Sequence, residues 1–219
     1  LKKLEEETGI KGYDDLDVFL NAPIDLVIEC ATIDVVEQYA REILRRKDLM
    51  VISIGALVHD QLRTDLEKIA QETKHNLYLP SGALGGLDAL QAAQMLDGLT
   101  QVRLTSSKPA AALGAPHLNQ AETIFKGPAQ EAIKKFPKNA NVAIIVALAG
   151  IGMERTEVEI IADPEATQNT HQLEATGAFG EFSMKLTNDP SPHNPKTSYL
   201  TALSILSTLK KQTDPIKIG

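Results

Sequence analysis

The stretch IDLVIECATIDVVEQYAREIL, residues 24–44, decides the fold class of this chain. Its first part, IDLVIEC, is a short apolar run of the kind found in buried strands. Thr32 follows as an N-cap, and apolar residues then recur with the spacing of a helix, at Val35, Val36, Tyr39, Ala40, Ile43 and Leu44. The stretch therefore predicts a strand that leads into an amphipathic helix.

The same alternation continues along the chain. LMVIS (49–53) and NLYLP (76–80) predict two further strands, and the segment GLDALQAAQML (86–96) predicts a helix after the last of them. Between the strands, helical spacing is carried by Leu62, Leu66, Ile69 and Ala70. Strands that alternate with amphipathic helices form β-α-β units. We therefore predict the α/β class, with a doubly wound, Rossmann-like parallel sheet.

The pattern changes after about residue 98. TQVRLTSS (100–107) predicts a strand, and residues 128–135 predict a short helix. NVAIIVALAG (141–150) favours a helix, although its β-branched residues leave a strand open. Three more strands are predicted by ERTEVEIIAD, NTHQLEATG and GEFSMKLTND, and the alternation in the last is typical of a half-exposed antiparallel sheet. A final helix is predicted to begin at Pro195. This part is α+β with a mostly antiparallel sheet.

Composition excludes several classes of function. The 219 residues carry a net charge of −7 and only 4% aromatic residues, so the basic stripe and stacking aromatics of a nucleic-acid binder are missing. The longest apolar run, residues 142–149, is far shorter than the roughly 20 residues of a membrane span. The single cysteine, Cys30, excludes an internal disulfide. We expect a cytoplasmic protein that binds neither nucleic acid nor membrane.

A glycine-rich turn, SGALGG (81–86), joins a predicted strand to a predicted helix. Its backbone amides can approach a ligand at the helix N-terminus. The alternative is a tight turn that needs glycine for its dihedral angles. The turn is not a Walker loop, because no Lys-Ser or Lys-Thr follows, and the G-x-G-x-x-G pattern does not occur in the chain.

Asn169 and His171 are two residues apart on a predicted strand and therefore share a face with Leu173 and Ala175. That face points to an interior or a cavity. A histidine held there suits general acid–base chemistry. The alternative is a hydrogen-bonded histidine in the core.

The segment PSPHNPKTS (190–198) places Lys196 in the first turn of the predicted final helix, where the helix dipole disfavours a cation. Together with Thr197 and Ser198, Lys196 can bind a substrate carboxylate. The alternative is an exposed lysine.

Three further polar residues and the histidines complete the candidates. Lys108 is either a ligand group or part of an interdomain linker, Asn139 can cap the helix that follows, and Asn141 can reach a ligand. We treat Cys30 as a small buried residue. No metal site is predicted, since the histidines lack ligand spacing such as H-x-x-x-H.

The chain resembles the L-aspartate dehydrogenase family. The segments that carry the resemblance follow the family's order over nearly the whole chain: IDLVIECAT, VISIGAL, LPSGALGGLDAL, TSSKPAAAL, FPKNANVAIIVALAGIG, ADPEATQNTHQLEATGAFGEF and NDPSPHNPKTSYL. Each segment alone is modest, but seven in series form a specific signature.

The resemblance implies a two-domain fold like that of homoserine dehydrogenase and dihydrodipicolinate reductase. It implies oxidation of L-aspartate by NAD or NADP to iminoaspartate, which hydrolyses to oxaloacetate and ammonia or feeds quinolinate and NAD biosynthesis. The family's catalytic histidine matches His171, and its cofactor contacts match Ala83 and Asn141. Gly82, Cys30 and Ala31 are further cofactor-binding candidates.

The substrate-side candidates are our own inference from position in the matching motifs. Lys196 is a candidate catalytic residue, and Asn169, Thr197 and Ser198 are candidates for substrate binding. We predict a dinucleotide-binding domain over residues 1–98, completed by a helix over 195–219, and a substrate domain over 99–194.

The sequence departs from the family pattern at its start. The family's first strand, glycine-rich turn, helix and second strand are missing before Leu1, so we expect an incomplete dinucleotide sheet. Two alternatives stay open: a related dehydrogenase or reductase for another amino or oxo acid, and a non-catalytic binding or regulatory homologue, which only the missing segment supports. We expect a homodimer, because the three-stranded sheet predicted near the C-terminus has one polar face with which a second copy can pair.

Overall fold

The computed structural model describes residues 2–137, 141–192, 194 and 197–216. The chain divides into two compact units, Leu1–Tyr78 and Leu79–Gly219. The border predicted after residue 98 is a different one, because it separates the segments that bind the cofactor from those that bind the substrate. It stays a prediction. Among the described helices, none has the length and apolar character needed to cross a membrane.

The first unit contains a three-stranded parallel sheet in the order β1-β2-β3, as the strand–helix alternation predicts. Its elements are α1 (Lys2–Thr8), α2 (Leu16–Leu20), β1 (Leu26–Glu29), α3 (Ile33–Arg46), β2 (Asp48–Val51), α4 (Asp60–Thr73) and β3 (Leu77–Tyr78). The Thr32 hydroxyl accepts a hydrogen bond from the Val35 N–H at 3.4 Å, so Thr32 caps α3 as predicted.

Burial follows the predicted helical stripes. α3 buries Val36, Ala40, Ile43 and Leu44, and α4 buries Leu62, Leu66 and Ile69. β2 is buried almost throughout. These side chains form the core of the first unit, and each large one contributes about 1.5–3 kcal/mol through removal from water.

The second unit is built on a five-stranded sheet in the order β5-β6-β4-β7-β8. Its elements are α5 (Leu87–Gln94), β4 (Leu99–Pro109), β5 (Glu122–Pro128), α6 (Ala129–Lys135), α7 (Asn141–Ala149), β6 (Thr156–Asp163), β7 (Asn169–Gly177), β8 (Gly180–Asn188) and α8 (Tyr199–Thr213). Only β4 and β6 are parallel, and the other neighbours pair antiparallel. The α/β fold class with a mostly antiparallel second sheet is therefore confirmed.

The two faces of this sheet differ in burial. Along β6 and β7, buried and half-buried residues alternate, as the two-residue period of a strand requires. We call the buried side the inner face; it carries Leu104, His171 and Leu173, among others. α7 is apolar on all sides and buries five of its nine residues, so the segment NVAIIVALAG is a helix rather than a strand.

Two predictions about the second unit are wrong in detail. The sheet has five strands instead of three, because β4 and β5 join it from earlier in the chain. The last helix begins at Tyr199 instead of Pro195. Next to its start, the Ser191 N–H donates to the Thr197 carbonyl and the Tyr199 N–H donates to the Asp189 carbonyl.

Candidate active site

His171 and Ser106 meet on the inner face of the sheet. β4 and β7 are antiparallel, and their register sets Ser106 directly opposite His171. The Ser106 Oγ and the His171 Nδ1 are 2.9 Å apart and share a hydrogen bond. Both side chains are buried, His171 with only 2% of its surface exposed. The imidazole is therefore held in one orientation by its strand and its serine partner.

The protonation of His171 is set by its surroundings. Burial lowers the pKa of His171 to about 4, and the positive charge of Lys108 contributes to the same shift. The imidazole is consequently neutral at neutral pH, with one nitrogen that donates and one that accepts. Among the described residues, Ser106 is the only hydrogen-bond partner of the ring, and it binds Nδ1. Nε2 is left for chemistry with a bound molecule.

Lys108 lies two residues beyond Ser106 and shares its side of β4. Burial lowers the pKa of Lys108 to about 8. Because Lys108 belongs to a long central strand, its interpretation as part of an interdomain linker is wrong.

The SGALGG turn (81–86) is anchored to two elements of the same unit. The Gly82 N–H donates a hydrogen bond to the Ser204 Oγ on α8 at 3.1 Å. The Asn188 side-chain amide at the end of β8 donates to the Ala83 carbonyl at 3.2 Å. Gly82 has a φ of +65°, and nothing lies within 4 Å of the position that a Cβ would take. The turn therefore needs glycine and leaves open space beside its backbone.

The β7–β8 pairing connects this turn to the histidine. Asn188 is paired with Asn169, and His171 is paired with Leu186, two residues before Asn188. The structure thus brings the predicted cofactor turn, Asn169 and His171 to one end of the sheet.

The carboxyl end of β1 is organised by Glu29. One carboxylate oxygen accepts hydrogen bonds from the Ala31 N–H at 2.6 Å and the Ser53 Oγ at 2.8 Å. The other accepts from the Ile52 N–H at 3.1 Å and the Ser53 N–H at 2.8 Å. This buried carboxylate fixes the segments that follow β1 and β2.

Cys30 and Ala31 come directly after Glu29, and both are exposed. The prediction that Cys30 is buried is therefore wrong, because the chain leaves the sheet at this point. Partial burial and the charge of Glu29 raise the pKa of the Cys30 thiol. Both residues lie where dinucleotides bind in α/β proteins, at the carboxyl ends of parallel strands.

The remaining predicted residues lie at the ends of two helices. Asn141 is the first described residue of α7 and is exposed, whereas Asn139 lies outside the described residues. Thr197 accepts a hydrogen bond from the Asn194 side-chain amide at 3.2 Å. Ser198 is 9% exposed, and its Oγ has no hydrogen-bond partner among the described residues. Lys196 lies outside the described residues, so its predicted role stays a prediction.

Two family profiles match the chain. One, described as aspartate dehydrogenase, C-terminal, matches residues 88–212, and the other, described as homoserine dehydrogenase, NAD binding domain, matches residues 2–80. An L-aspartate dehydrogenase of Methanosarcina barkeri is 43% identical over 233 residues, which cover 100% of this chain and 86% of that relative. The chain belongs to the L-aspartate dehydrogenase family. The resemblance seen in the sequence is confirmed.

Further relatives agree with this membership. An L-aspartate dehydrogenase of Pseudomonas aeruginosa is 44% identical over 89% of this chain and 76% of its own length. The crystal structure of aspartate dehydrogenase from Thermotoga maritima superposes with a TM-score of 0.83 at 31% identity, covering 96% of this chain and 84% of that one. The chain is accordingly an NAD(P)-dependent oxidoreductase of the amino-acid dehydrogenase type.

Several residues of the site were not predicted from the sequence. Ser106, Asn188 and Ser204 act as partners of predicted residues, and Glu29 organises the end of β1. Ser106 lies within TSSKPAAAL, one of the segments that carry the resemblance, but no role for it was predicted from the sequence. Over the described ranges, no group of three or more His, Cys, Asp or Glu side chains is arranged to hold a metal ion.

Proposed function

We propose that this protein oxidises L-aspartate with NAD or NADP to iminoaspartate, which hydrolyses to oxaloacetate and ammonia. The observation that carries the proposal is the anchoring of the SGALGG turn beside the strand pair that presents His171. A cofactor site and an acid–base group at one end of one sheet are what a dehydrogenase needs. Family membership supplies the substrate.

The residues present fit a nicotinamide dinucleotide. Gly82 leaves open space beside the backbone of the turn, and Ala83 is held in place through its carbonyl. We propose that Gly82, Ala83 and Asn141 contact the cofactor in the second unit. Cys30 and Ala31, which follow β1 in the first unit, stay candidates for cofactor binding. When bound, the nicotinamide would supply the hydride acceptor for oxidation at the substrate α-carbon.

His171 carries the proton chemistry in this proposal. We propose the tautomer in which Nδ1–H donates to the Ser106 Oγ, because it leaves the lone pair of Nε2 to accept a proton. The proton comes either from the substrate amino group or from the water that attacks the imine. Burial keeps the imidazole unprotonated before the reaction, so the Nε2 lone pair is available at neutral pH.

The substrate side of the site is proposed from position. Asn169 shares the face of His171, and the Ser198 hydroxyl is buried without a partner in the described chain, so it can bind a substrate carboxylate. Thr197 and Lys196 complete this carboxylate site in the proposal. Removal of Lys196 should then raise the KM for aspartate more than it lowers kcat.

We extend the proposal to the setting of the enzyme. Residues 1–98 with the C-terminal segment that contains α8 serve the cofactor, and residues 99–194 serve the substrate. The iminoaspartate can feed quinolinate and NAD biosynthesis in the cytoplasm.

Two copies associate through the outer face of the five-stranded sheet. On this face, Gln172 is half-buried and Lys185 is exposed. Light scattering after size exclusion tests this association, and a monomer would contradict it.

A cofactor-reduction assay tests the reaction. The full-length protein is mixed with L-aspartate and NAD or NADP at mildly alkaline pH, and the absorbance of the reduced nicotinamide is followed. D-Aspartate, L-glutamate and L-homoserine are measured in parallel. We expect turnover with L-aspartate alone. Turnover with another substrate instead would indicate a related dehydrogenase, and a folded protein that turns over none and binds no NADH would indicate a non-catalytic homologue.

A further inference from the structure

Lys108 completes a group of polar residues around His171. Ser106 is paired with His171, and Ser107 is paired with Thr170. The same register, extended by one step, sets Lys108 opposite Asn169. Residues two apart on a strand share a face, so Lys108 lies on the side of the sheet that carries the histidine.

Of the residues just named, Lys108 is the one that carries a formal charge at neutral pH. The other residues on this face of β4, β6, β7 and β8 are apolar or neutral in the described chain, such as Leu104, Ala162 and Leu186. Arg103 and Glu157, which form an ion pair, lie on the opposite face. Within the described part of these strands, Lys108 is therefore the residue on the inner face that can balance an anion.

The strand register places Lys108 on the same side of the sheet as His171, two positions along β4 from the residue paired with His171. The charge of Lys108 contributes to the lowered pKa of His171, so the two groups interact through the protein. Burial also lowers the pKa of Lys108, to about 8, so the side chain is cationic at neutral pH and loses its charge in mildly alkaline solution. On this side of the neighbouring strands, the described titratable groups are His171 on β7 and, one strand beyond Ala162 of β6, the exposed Glu122 of β5.

The proposed substrate has a specific charge requirement. L-Aspartate carries two carboxylates, and one of them is already assigned above to Ser198 and its neighbours. The second carboxylate distinguishes aspartate from neutral amino acids, and it needs a separate cation near His171. An ammonium-to-carboxylate hydrogen bond contributes more than a neutral one and loses its strength when either charge is removed.

We propose that Lys108 binds the side-chain carboxylate of the substrate while His171 acts at the amino end, and that Lys108 thereby selects dicarboxylic amino acids. This inference rests on the proposed function, because it names the residue that recognises the substrate of that reaction. It assigns Lys108 to binding and not to proton transfer.

Two variants of Lys108 test the proposal in steady-state kinetics. Lys108→Met removes the charge and should raise the KM for L-aspartate by about 10- to 100-fold, with kcat changed less. Lys108→Arg keeps the charge and should recover most of the loss, although the guanidinium geometry differs. Lys134→Met, the same substitution at an exposed lysine of α6, is the matched control and should leave KM unchanged. Circular dichroism confirms that each variant is folded.

The pH dependence of succinate inhibition provides a second readout. Succinate is a dicarboxylate without an amino group, so its own charge is constant above pH 7. Its inhibition constant for the wild type should rise as the pH increases through about 8, because Lys108 loses its proton there. In Lys108→Arg the inhibition constant should stay flat over this range, since arginine keeps its charge.

The outcomes separate the two levels of the proposal. Wild-type turnover with L-aspartate reports on the proposed function alone, and the comparison of variants reports on Lys108. An unchanged KM in a folded Lys108→Met protein would overturn the assignment. A fall in kcat at constant KM would overturn it as well, because that result would place Lys108 in proton transfer.

Discussion

Glu29 in the first unit and His171 in the second are both buried polar side chains, and they are bound in opposite ways. Both oxygens of Glu29 are occupied by hydrogen bonds from Ala31, Ile52 and Ser53. His171 has one partner, Ser106, and its second ring nitrogen has none among the described residues. A fully bonded group fixes the backbone around it, whereas a partly bonded group is available for chemistry.

Loss of Glu29 should have the largest effect on stability. Glu29→Ala leaves the backbone N–H groups of Ala31, Ile52 and Ser53 without their charged acceptor, so the free energy of unfolding should fall by about 3 kcal/mol or more. Glu67→Ala, at an exposed position of α4, is the control and should change it by less than about 0.5 kcal/mol. Chemical denaturation measures both. A small effect at Glu29 would show that the comparison of the two groups is wrong.

Acidification should destabilise the protein through His171. The pKa of His171 is about 4 in the folded state, against about 6.5 in an unfolded chain, so the unfolded state binds the proton first. The free energy of unfolding should therefore fall as the pH drops from 6.5 to 4, by about 3 kcal/mol from this residue.

The His171 contribution is measured against a variant that cannot titrate. Denaturation of the wild type and of His171→Gln between pH 4 and 7 gives, for each protein, the slope of the free energy of unfolding against pH. The slope of the variant should be shallower, because only other groups still titrate. Parallel slopes would mean that His171 takes up its proton as easily when folded as when unfolded.

Asn188 connects the histidine strand pair to the predicted cofactor turn. Asn188→Ala should lower the free energy of unfolding by about 2 kcal/mol and raise the KM for the cofactor several-fold, because the Ala83 carbonyl loses its buried donor. Asn188→Asp has the same size but no donor, and it should show the same cofactor defect. An unaltered cofactor KM in both variants would show that the SGALGG turn does not take part in cofactor binding.

Ser106 should show the smallest effect on stability and a moderate one on rate. Ser106→Ala removes the partner of the His171 Nδ1, which should cost about 1 kcal/mol in unfolding free energy and about tenfold in kcat. Ser107→Ala, on the next position of β4, is the control. Equal kcat values for Ser106→Ala and Ser107→Ala would show that Ser106 does not position His171.

The sequence predicted what depends on neighbours along the chain. The helix α3, the strands β6 to β8 and the face shared by Asn169 and His171 all follow from local periodicity. The Ser106–His171 hydrogen bond joins residues 65 positions apart, and it exists only because β4 and β7 pair in one register. No local pattern contains that information.

Pairing over long distance also explains the other differences. The parallel pairing of β4 with β6 makes β4 the central strand, so the three-stranded sheet predicted near the C-terminus becomes five-stranded. The last helix begins at Tyr199, where the Tyr199 N–H donates to the Asp189 carbonyl and the nearby Thr197 carbonyl accepts from the Ser191 N–H. The sequence signal for a helix that begins at Pro195 gave no indication of these contacts.

The most direct measurement is the turnover of L-aspartate by the wild type and by His171→Gln under saturating cofactor. If His171 is the acid–base group, kcat should fall by about 100- to 10,000-fold, while the variant stays folded and still binds NADH. A folded His171→Gln protein that keeps more than a tenth of the wild-type kcat would contradict the role assigned to His171.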